Sequence, residues 1–152
     1  KAKNLKAIEV IADYFKNINF NEPYILAPDK GALERAKKLG EIMNCEYGYF
    51  EKYRDRISGA IKIEEIDINF KNRDVIIIDD IISTGGTIAT TAKIVKEKGA
   101  RRIIVTCTHA LLIKDALEKI KNAGVDEIIA TDTVENEFSK ITVAPLIARE
   151  LC

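Results

Sequence analysis

The sequence predicts an α/β domain in which a parallel sheet is flanked by helices. Two continuous apolar runs, DVIIID at 74–79 and RIIVTCTH at 102–109, are typical of strands buried on both faces. Such runs alternate along the chain with segments whose apolar residues recur at helical spacing. Because strands that alternate with helices are joined by crossovers, this order favours a parallel sheet.

The helices are predicted from apolar residues that recur every three or four positions. Gly99 and Gly124 directly follow two of these stretches, and glycine is the residue that most easily adopts the left-handed conformation at a helix end. In chain order the predicted helices span 3–17, 32–43, 86–98, 113–123 and 144–151.

The predicted strands are of two kinds. Most are continuous apolar runs, whereas 60–68 alternates apolar and polar residues and is typical of an antiparallel or edge strand. The polar stretch 53–59, which ends in Gly59, is predicted to be a loop. In chain order the predicted strands span 23–27, 46–52, 60–68, 74–79, 102–109, 127–132 and, as a short last strand, 141–143.

Length and charge narrow the class of protein. A chain of 152 residues suits one domain, and 47% hydrophobic with 32% charged residues indicates a globular fold with a core. The 24 basic and 24 acidic residues cancel, which argues against a nucleic-acid or anionic membrane surface. No stretch approaches the roughly 18 apolar residues of a membrane span. We therefore expect neither a nucleic acid nor a membrane as partner.

The cysteines give no sign of a metal site. Cys45, Cys107 and Cys152 form no CxxC pair, and a single histidine leaves no zinc-ligand spacing. Cys107 lies inside a predicted strand, where we expect it to pack in the core. An odd number of cysteines in a chain of this length is typical of a reducing, cytoplasmic setting.

The stretch VIIIDDIISTGGT at 75–87 carries the clearest chemical signal. Its strand leads to a hydroxyl- and glycine-rich turn at the start of a helix, where unpaired N–H groups and the helix dipole favour a phosphate. The alternative is a plain tight turn. The residues predicted to hold the phosphate are Ser83, Thr84, Gly85, Gly86 and Thr87.

Two adjacent carboxylates, Asp79 and Asp80, precede this turn at the predicted end of the strand. Ligands of parallel sheets bind beyond the carboxyl ends of strands. Because carboxylates would repel the phosphate itself, they are expected to face ligand hydroxyls or a divalent cation. A ribose 5-phosphate with Mg²⁺ fits this pattern, and the alternative is that both acids are merely solvated.

A second turn, at Asp29, Lys30, Gly31 and Ala32, also joins a strand end to a helix. Its free N–H groups could hold pyrophosphate, and Asp29 could touch the ribose or the metal. The alternative is that Asp29 only caps the helix.

These motifs resemble those of the type I phosphoribosyltransferase superfamily, and within it the C-terminal half of ribose-phosphate pyrophosphokinase, most closely the short archaeal forms. The resemblance runs through APDKGALERAKKL at 27–39, YFEKYRDR at 49–56, CTHALL at 107–112 and the segment 131–148. It implies a phosphoribosyltransferase-like fold over 1–152 as a single domain.

The resemblance also implies roles for particular residues. Asp79 and Asp80 hold the ribose hydroxyls with Mg²⁺, which Asp29 also binds, and 83–87 hold the 5-phosphate. The turn at 29–32 holds pyrophosphate. Lys52 and Arg54 begin a flexible catalytic loop and stabilise the diphosphoryl group in transfer.

Three further residues lie at strand ends on the ligand side of the predicted sheet. The resemblance implies that His109 lies near the site, where a lone histidine is more often a hydrogen-bonded structural residue than a base. Asp132 and Thr133 follow another strand, where they either line the site or begin a loop.

The implied reaction transfers the diphosphoryl group of ATP to ribose 5-phosphate, which gives PRPP and AMP. In the family an N-terminal half supplies much of the ATP site, so we expect a homo-oligomer or association with such a half, and this chain alone could be inactive. Two alternatives stay open: a free-standing PRPP-dependent phosphoribosyltransferase that acts on a nucleobase, and a non-catalytic PRPP-binding regulatory partner.

Overall fold

A computed structural model of the chain describes residues 2–64 and 67–152, apart from the side chains of 53, 54 and 61–64. Within these residues the strands are β1 (Tyr24–Ala27), β2 (Glu46–Tyr49), β3 (Glu51–Arg54), β4 (Ile61–Glu64), β5 (Asp74–Ile82), β6 (Arg102–Ala110), β7 (Glu127–Thr131) and β8 (Ser139–Ile141). The α-helices are α1 (Ile8–Phe15), α2 (Leu33–Met43), α3 (Gly86–Glu97), α4 (Ala116–Asn122) and α5 (Ala144–Leu151).

Six of the strands form one parallel sheet in the order β2-β1-β5-β6-β7-β8. The predicted parallel sheet flanked by helices is thus confirmed. From β1 the chain moves outward to β2, and it then returns to β5 on the other side of β1. The strand order therefore reverses between β1 and β5, where open α/β sheets form a crevice for ligands.

Helices cover both faces of this sheet and divide its core in two. Ile76 and Ile78 of β5 share one core cluster with side chains of α1 and α2. Val75 and Ile77 share the other with side chains of α3. All four side chains are fully buried. Because side chains alternate between the faces of a strand, a strand covered on both sides requires a continuous apolar run.

A buried charge lies at the start of β5, at the end of the sheet opposite the crevice. The fully buried carboxylate of Asp74 accepts hydrogen bonds from Nε and Nη2 of Arg101, at 2.8 and 2.6 Å, and from the N–H of Asn21 at 2.9 Å. Burial alone would raise the pKa of Asp74. These bonds and the charges of Arg102 and Arg101 outweigh burial and lower it.

The predicted single strand over 46–52 is wrong, because β2 ends at Tyr49 and a separate strand begins at Glu51. Phe50 lies between them, with a fully buried side chain and an N–H that donates to the carbonyl oxygen of Ala27 at 3.2 Å. The chain is anchored at this residue and then leaves the main sheet, so β3 pairs only with β4.

The predicted loop over 53–59 is wrong at its start, because residues 53 and 54 belong to β3, which pairs antiparallel with β4. Oδ1 of Asp55 accepts the N–H groups of Ile57 and Ser58, and Gly59 has a φ of +69°. These hydrogen bonds and the left-handed backbone at Gly59 form the polar turn of the β3–β4 hairpin. The antiparallel strand expected at 60–68 is confirmed in part as β4, and residues 65 and 66 lie outside the described residues.

Several boundaries also differ from the prediction. β5 continues to Ile82 rather than ending at residue 79, because it stays paired with β6, so Asp79 and Asp80 lie within the strand rather than at its end. α4 begins only at Ala116, since Lys114 has a left-handed φ of +57° that a helix does not allow. The last strand covers 139–141 rather than 141–143, and α1 begins at Ile8 rather than at residue 3. Among the described residues, no helix combines the length and apolarity needed to cross a membrane.

Candidate functional site

The predicted acidic residues meet at the crevice between β1 and β5. Asp29 follows β1, and Asp79 and Asp80 lie near the end of β5. The two strands run parallel, with Leu26 opposite Ile77, so the three carboxylates reach the same edge of the sheet. The strand reversal thus brings together residues that are far apart in the sequence.

The carboxylates are close enough to affect one another. Burial raises the pKa of Asp79, and the charges of Asp29 and Asp80 raise it further. Two contacts act in the opposite direction: the N–H of Asp80 donates to Oδ1 of Asp79 at 2.8 Å, and the guanidinium of Arg35 lies nearby. The site therefore concentrates negative charge in a partly buried place.

Two cations balance part of this charge. Nη2 of Arg35 lies 3.3 Å from Oδ2 of Asp80, and Nζ of Lys52 lies 3.7 Å from Oδ2 of Asp29. Lys52 is thus brought to the site by the β3–β4 hairpin, although the hairpin is not part of the main sheet. The backbone of Arg54 pairs with Ile61, and its side chain lies outside the described part of the chain.

The turn from β5 to α3 requires glycine at one position. Gly85 precedes α3 with a φ of +77°, a conformation that other residues rarely adopt. A Cβ at Gly85 would lie 3.1–3.2 Å from atoms of Ile120 and Ala116 in α4. Both the backbone angle and the available space therefore disfavour a larger residue.

The same turn leads into exposed residues at the start of α3. Gly85 offers no side-chain hydrogen bond to the first turn of α3, whose N–H groups have no partner within the helix. A Cβ on Gly86 would meet no atom within 4 Å. Thr84 and Thr87 are exposed, and Ser83 is half-buried. This arrangement suits a bound anion.

The second turn is partly occupied by its own aspartate. Asp29 caps a short 3-10 helix, Lys30–Ala32, and its Oδ1 accepts the N–H of Ala32 at 3.2 Å. Lys30 and Gly31 are exposed. Asp29 is therefore a helix cap in this structure, and a role for 29–32 in binding pyrophosphate stays a prediction.

His109 belongs to a hydrogen-bonded cluster at the ends of β6 and β7. Oγ1 of Thr133 lies 2.8 Å from the carbonyl oxygen of Thr108 and 2.8 Å from Nδ1 of His109. Because a carbonyl can only accept, the hydroxyl proton of Thr133 points to Thr108, and Nδ1 of His109 must donate. A neutral His109 therefore keeps Nε2 as an acceptor.

A cavity of about 550 Å³ opens beside Asp80 on the face of the sheet that α1 and α2 cover. His109 and Thr133 line it, together with Arg35 and Lys38 of α2. Its remaining walls come from segment 3–8, from Gly31, Glu34 and Thr108, and from Val143, Leu146 and Ile147.

The chain matches the family model described as the phosphoribosyl transferase domain over residues 2–144. It belongs to the phosphoribosyl transferase domain family. The glycine turn before α3, at the strand reversal, is compatible with a phosphate ligand.

Within this family, the similar relatives are archaeal proteins named ribose-phosphate pyrophosphokinase. The protein of Sulfurisphaera tokodaii is 43% identical over 98% of the chain and 53% of its own length. Ribose-phosphate pyrophosphokinase 2 of Archaeoglobus fulgidus is 44% identical over 99% of the chain and 54% of its own length. The chain thus spans about half the length of the curated relatives it matches. The resemblance seen in the sequence is confirmed.

Solved structures show the same phosphoribosyltransferase fold. The phosphoribosylpyrophosphate synthetase of Mycobacterium smegmatis matches with a TM-score of 0.76 at 24% identity, over 95% of this chain and 49% of that one. An adenine phosphoribosyl transferase of Trypanosoma brucei, in complex with AMP, pyrophosphate and ribose-5-phosphate, matches with a TM-score of 0.64 at 17% identity, over 95% and 75%.

The acids of this phosphoribosyl transferase domain have the chemistry that Mg²⁺ requires of its protein ligands. Among residues 2–64 and 67–152, no group of three or more acidic, histidine or cysteine side chains is assembled as a ready metal site. Mg²⁺ typically uses only one or two carboxylates and takes its other ligands from phosphates and water. The negative charges of Asp29 and Asp80 repel that of Asp79, and a divalent cation would relieve this repulsion.

Arg35 is a site residue that the sequence did not reveal. It lies in the first turn of α2, directly after the 29–32 turn, and this position is its only signal in the sequence. Asp132 has a different role, since its carboxylate accepts the N–H of Val143 at 2.9 Å and this bond lowers its pKa. Asp132 thus stabilises the chain before α5, whereas Thr133 lines the cavity.

Proposed function

We propose that this chain carries the ribose 5-phosphate site of a ribose-phosphate pyrophosphokinase and corresponds to its C-terminal half. The observation that carries the proposal is the meeting of three elements at the strand reversal: the glycine turn before α3, the acids of β5, and Lys52 of the hairpin. The names of the relatives support it, although the chain covers only half of their length.

In the proposed complex the 5-phosphate binds at residues 83–87, where the open N–H groups of α3 and three hydroxyls face it. The ribose hydroxyls then reach Asp79 and Asp80. Mg²⁺, held by these acids and by Asp29, would neutralise charge on the transferring group and orient it.

The proposed reaction is an in-line displacement at the β-phosphorus of ATP. The C1 hydroxyl oxygen of ribose 5-phosphate forms a new bond to this phosphorus, the bond to the α,β-bridging oxygen breaks, and AMP leaves. The hydroxyl proton passes to solvent. The protein supplies position and positive charge rather than a covalent nucleophile.

Lys52 and Arg54 are the proposed source of that positive charge, with the turn at 29–32 beside the diphosphate. Lys52 lies close to Asp29 in the free chain. A short movement of the β3–β4 hairpin would bring its ammonium group to the transferring phosphates. ATP itself is expected to need an N-terminal half or a further subunit, and we place the assembled enzyme in the cytoplasm, where thiols stay reduced.

A base-dependent phosphoribosyltransferase is the second candidate, and one observation favours it. The cavity beside Asp80 is closed by segment 3–8 and by residues 143–147, and terminal segments of this kind can cover a nucleobase next to the ribose. Its charged lining is less suited to a base than an aromatic one would be.

Calorimetric titration of this chain with Mg²⁺ against ribose 5-phosphate, PRPP and adenine distinguishes the candidates. We expect ribose 5-phosphate and PRPP to bind, and adenine to leave the PRPP affinity unchanged. PRPP binding that a nucleobase strengthens would favour the transferase. Failure of both sugar phosphates to bind would contradict the proposed function.

A further inference from the structure

Two of the three carboxylates at the strand reversal are already paired with cations of the chain. Arg35 contacts Asp80 with Nη2 at 3.3 Å, and Lys52 approaches Asp29 at 3.7 Å. The charge of Arg35 also acts on Asp79. The places where a divalent cation would bind are therefore partly neutralised before any metal arrives.

The position of Arg35 is set by the packing of α2. Ala36 and Leu39 of this helix have fully buried side chains, which fix the face that α2 turns to the core. Arg35 therefore lies on the side of α2 that borders the cavity and Asp80. Lys38 lines the same cavity one helical turn later. The two residues carry the same charge, and Arg35 is the one that contacts Asp80.

The ion pair between Arg35 and Asp80 can separate at little cost in free energy. Its shortest nitrogen–oxygen distance is 3.3 Å, and the two side chains are 34% and 43% exposed. Water can therefore solvate both charged groups when the pair separates, whereas the partners of a buried pair would stay unsolvated. A cation at Asp80 has to displace Arg35, and a bound substrate phosphate would give the guanidinium a new acceptor.

We infer that Arg35 is a counter-ion that occupies the place of the divalent cation at Asp80, so that Mg²⁺ binds firmly only together with substrate. This inference rests on the metal role proposed above for Asp79 and Asp80. It makes Arg35 a positioning residue: it sets the affinity of the site for metal and couples metal binding to substrate binding. Such coupling is reciprocal, so Mg²⁺ should strengthen substrate binding by the same factor.

The test is a calorimetric titration of Mg²⁺ alone into the wild-type chain and into Arg35→Gln, Arg35→Lys and Lys38→Gln. We expect Arg35→Gln to bind Mg²⁺ at least about fivefold more tightly than wild type, the lower end of usual coupling energies. Arg35→Lys, which keeps the charge, and Lys38→Gln, the matched control, should remain near wild type. Equal or weaker Mg²⁺ binding by Arg35→Gln would overturn the inference, as would the same gain in Lys38→Gln.

A second arm uses only the wild-type chain and does not depend on folding of a variant. Mg²⁺ is titrated with and without saturating ribose 5-phosphate, and its affinity should rise at least about fivefold when the sugar phosphate is present. An unchanged affinity, in a chain that does bind ribose 5-phosphate, would overturn the inference while leaving the proposed function intact. If ribose 5-phosphate does not bind, the proposed function fails, and the substrate-free comparison of variants still decides the role of Arg35.

Discussion

At the residue scale, adjacent aspartates have different surroundings. Asp79 is the more constrained, because burial and two neighbouring acids oppose its charge, whereas Asp80 is partly exposed and paired with Arg35. A strand points adjacent side chains to opposite faces, so neighbours in sequence need not share an environment. Their joint action on one ligand depends on their place at the edge of the sheet.

The first prediction concerns this pair. Asp79→Asn combined with Asp80→Asn should abolish measurable binding of ribose 5-phosphate and PRPP, because neutral amides neither hold Mg²⁺ nor accept strong hydrogen bonds from the ribose hydroxyls. Calorimetry measures the binding, and circular dichroism should show an unchanged fold. Retained affinity would remove these acids from the site.

The second prediction concerns the glycines before α3. Gly85→Ala should lower the free energy of unfolding by roughly 1–3 kcal/mol, because alanine is strained at positive φ and its Cβ would approach α4. Gly86→Ala is the matched control: its Cβ meets open space, so stability should stay within about 0.5 kcal/mol. Urea denaturation compares the two. Equal losses would contradict this account of the turn.

At the element scale, β5 connects structure with function along its own length. It begins at the buried ion pair of Asp74, continues as an apolar strand between two layers of helices, and ends with the acids of the site. Its neighbours β1 and β6 hold it on both sides. A substitution at the start of β5 is therefore expected to lower the free energy of unfolding, and a substitution near its end is expected to weaken ligand binding.

The third prediction concerns the start of β5. Asp74→Asn should lower the free energy of unfolding by about 1.5–3 kcal/mol, because the charged hydrogen bonds from Arg101 and Arg102 to the buried carboxylate would be lost. Denaturant unfolding at neutral pH measures this loss. Asp13→Asn, in an exposed pair with Lys16, is the control and should change stability by less than about 1 kcal/mol.

The same residue predicts a pH dependence. The folded-state pKa of Asp74 lies below its usual value, so its stabilisation is fully present above the unfolded-state pKa and is lost as the pH falls through the folded-state pKa. Asp74→Asn should therefore show a smaller loss of stability in acid than wild type. Parallel acid dependences in the two proteins would show that Asp74 contributes nothing to it.

At the scale of the whole molecule, the site is assembled by the topology. The reversal of strand order places the end of β1 beside the end of β5, and the hairpin that interrupts this path carries Lys52 to Asp29. A continuous path from β1 to β5 would have no such hairpin at the crevice. The proposed transfer chemistry thus depends on the β3–β4 hairpin as well as on the main sheet.

The fourth prediction concerns Lys52 in that hairpin. In the enzyme that we propose, assembled with an N-terminal half, Lys52→Ala should lower kcat by about 100-fold or more and change the ribose 5-phosphate affinity little, because its charge acts on the transferring group. Lys93→Ala, at an exposed position of α3, is the control and should leave both quantities unchanged. A defect limited to affinity would contradict the transfer role.

Features that depend on local chemistry could be predicted from the amino-acid sequence. The apolar run of β5 predicts a strand covered on both faces, and the hydroxyl–glycine turn at 83–87 predicts a helix start; the structure has both, and anion binding at this turn stays a prediction. Periodicity and turn chemistry act within a few residues, so one sequence is enough to recognise them.

Contacts between distant residues could not be predicted in this way, because they depend on the folded arrangement of the whole chain. The pairing of Arg35 with Asp80, the approach of Lys52 to Asp29 and the hairpin in place of a loop at residues 53 and 54 all depend on strand order and on the burial of Phe50. These arrangements are selected by packing of the whole core, since no local pattern around Arg35 indicates that a strand some 45 residues later will lie beside it.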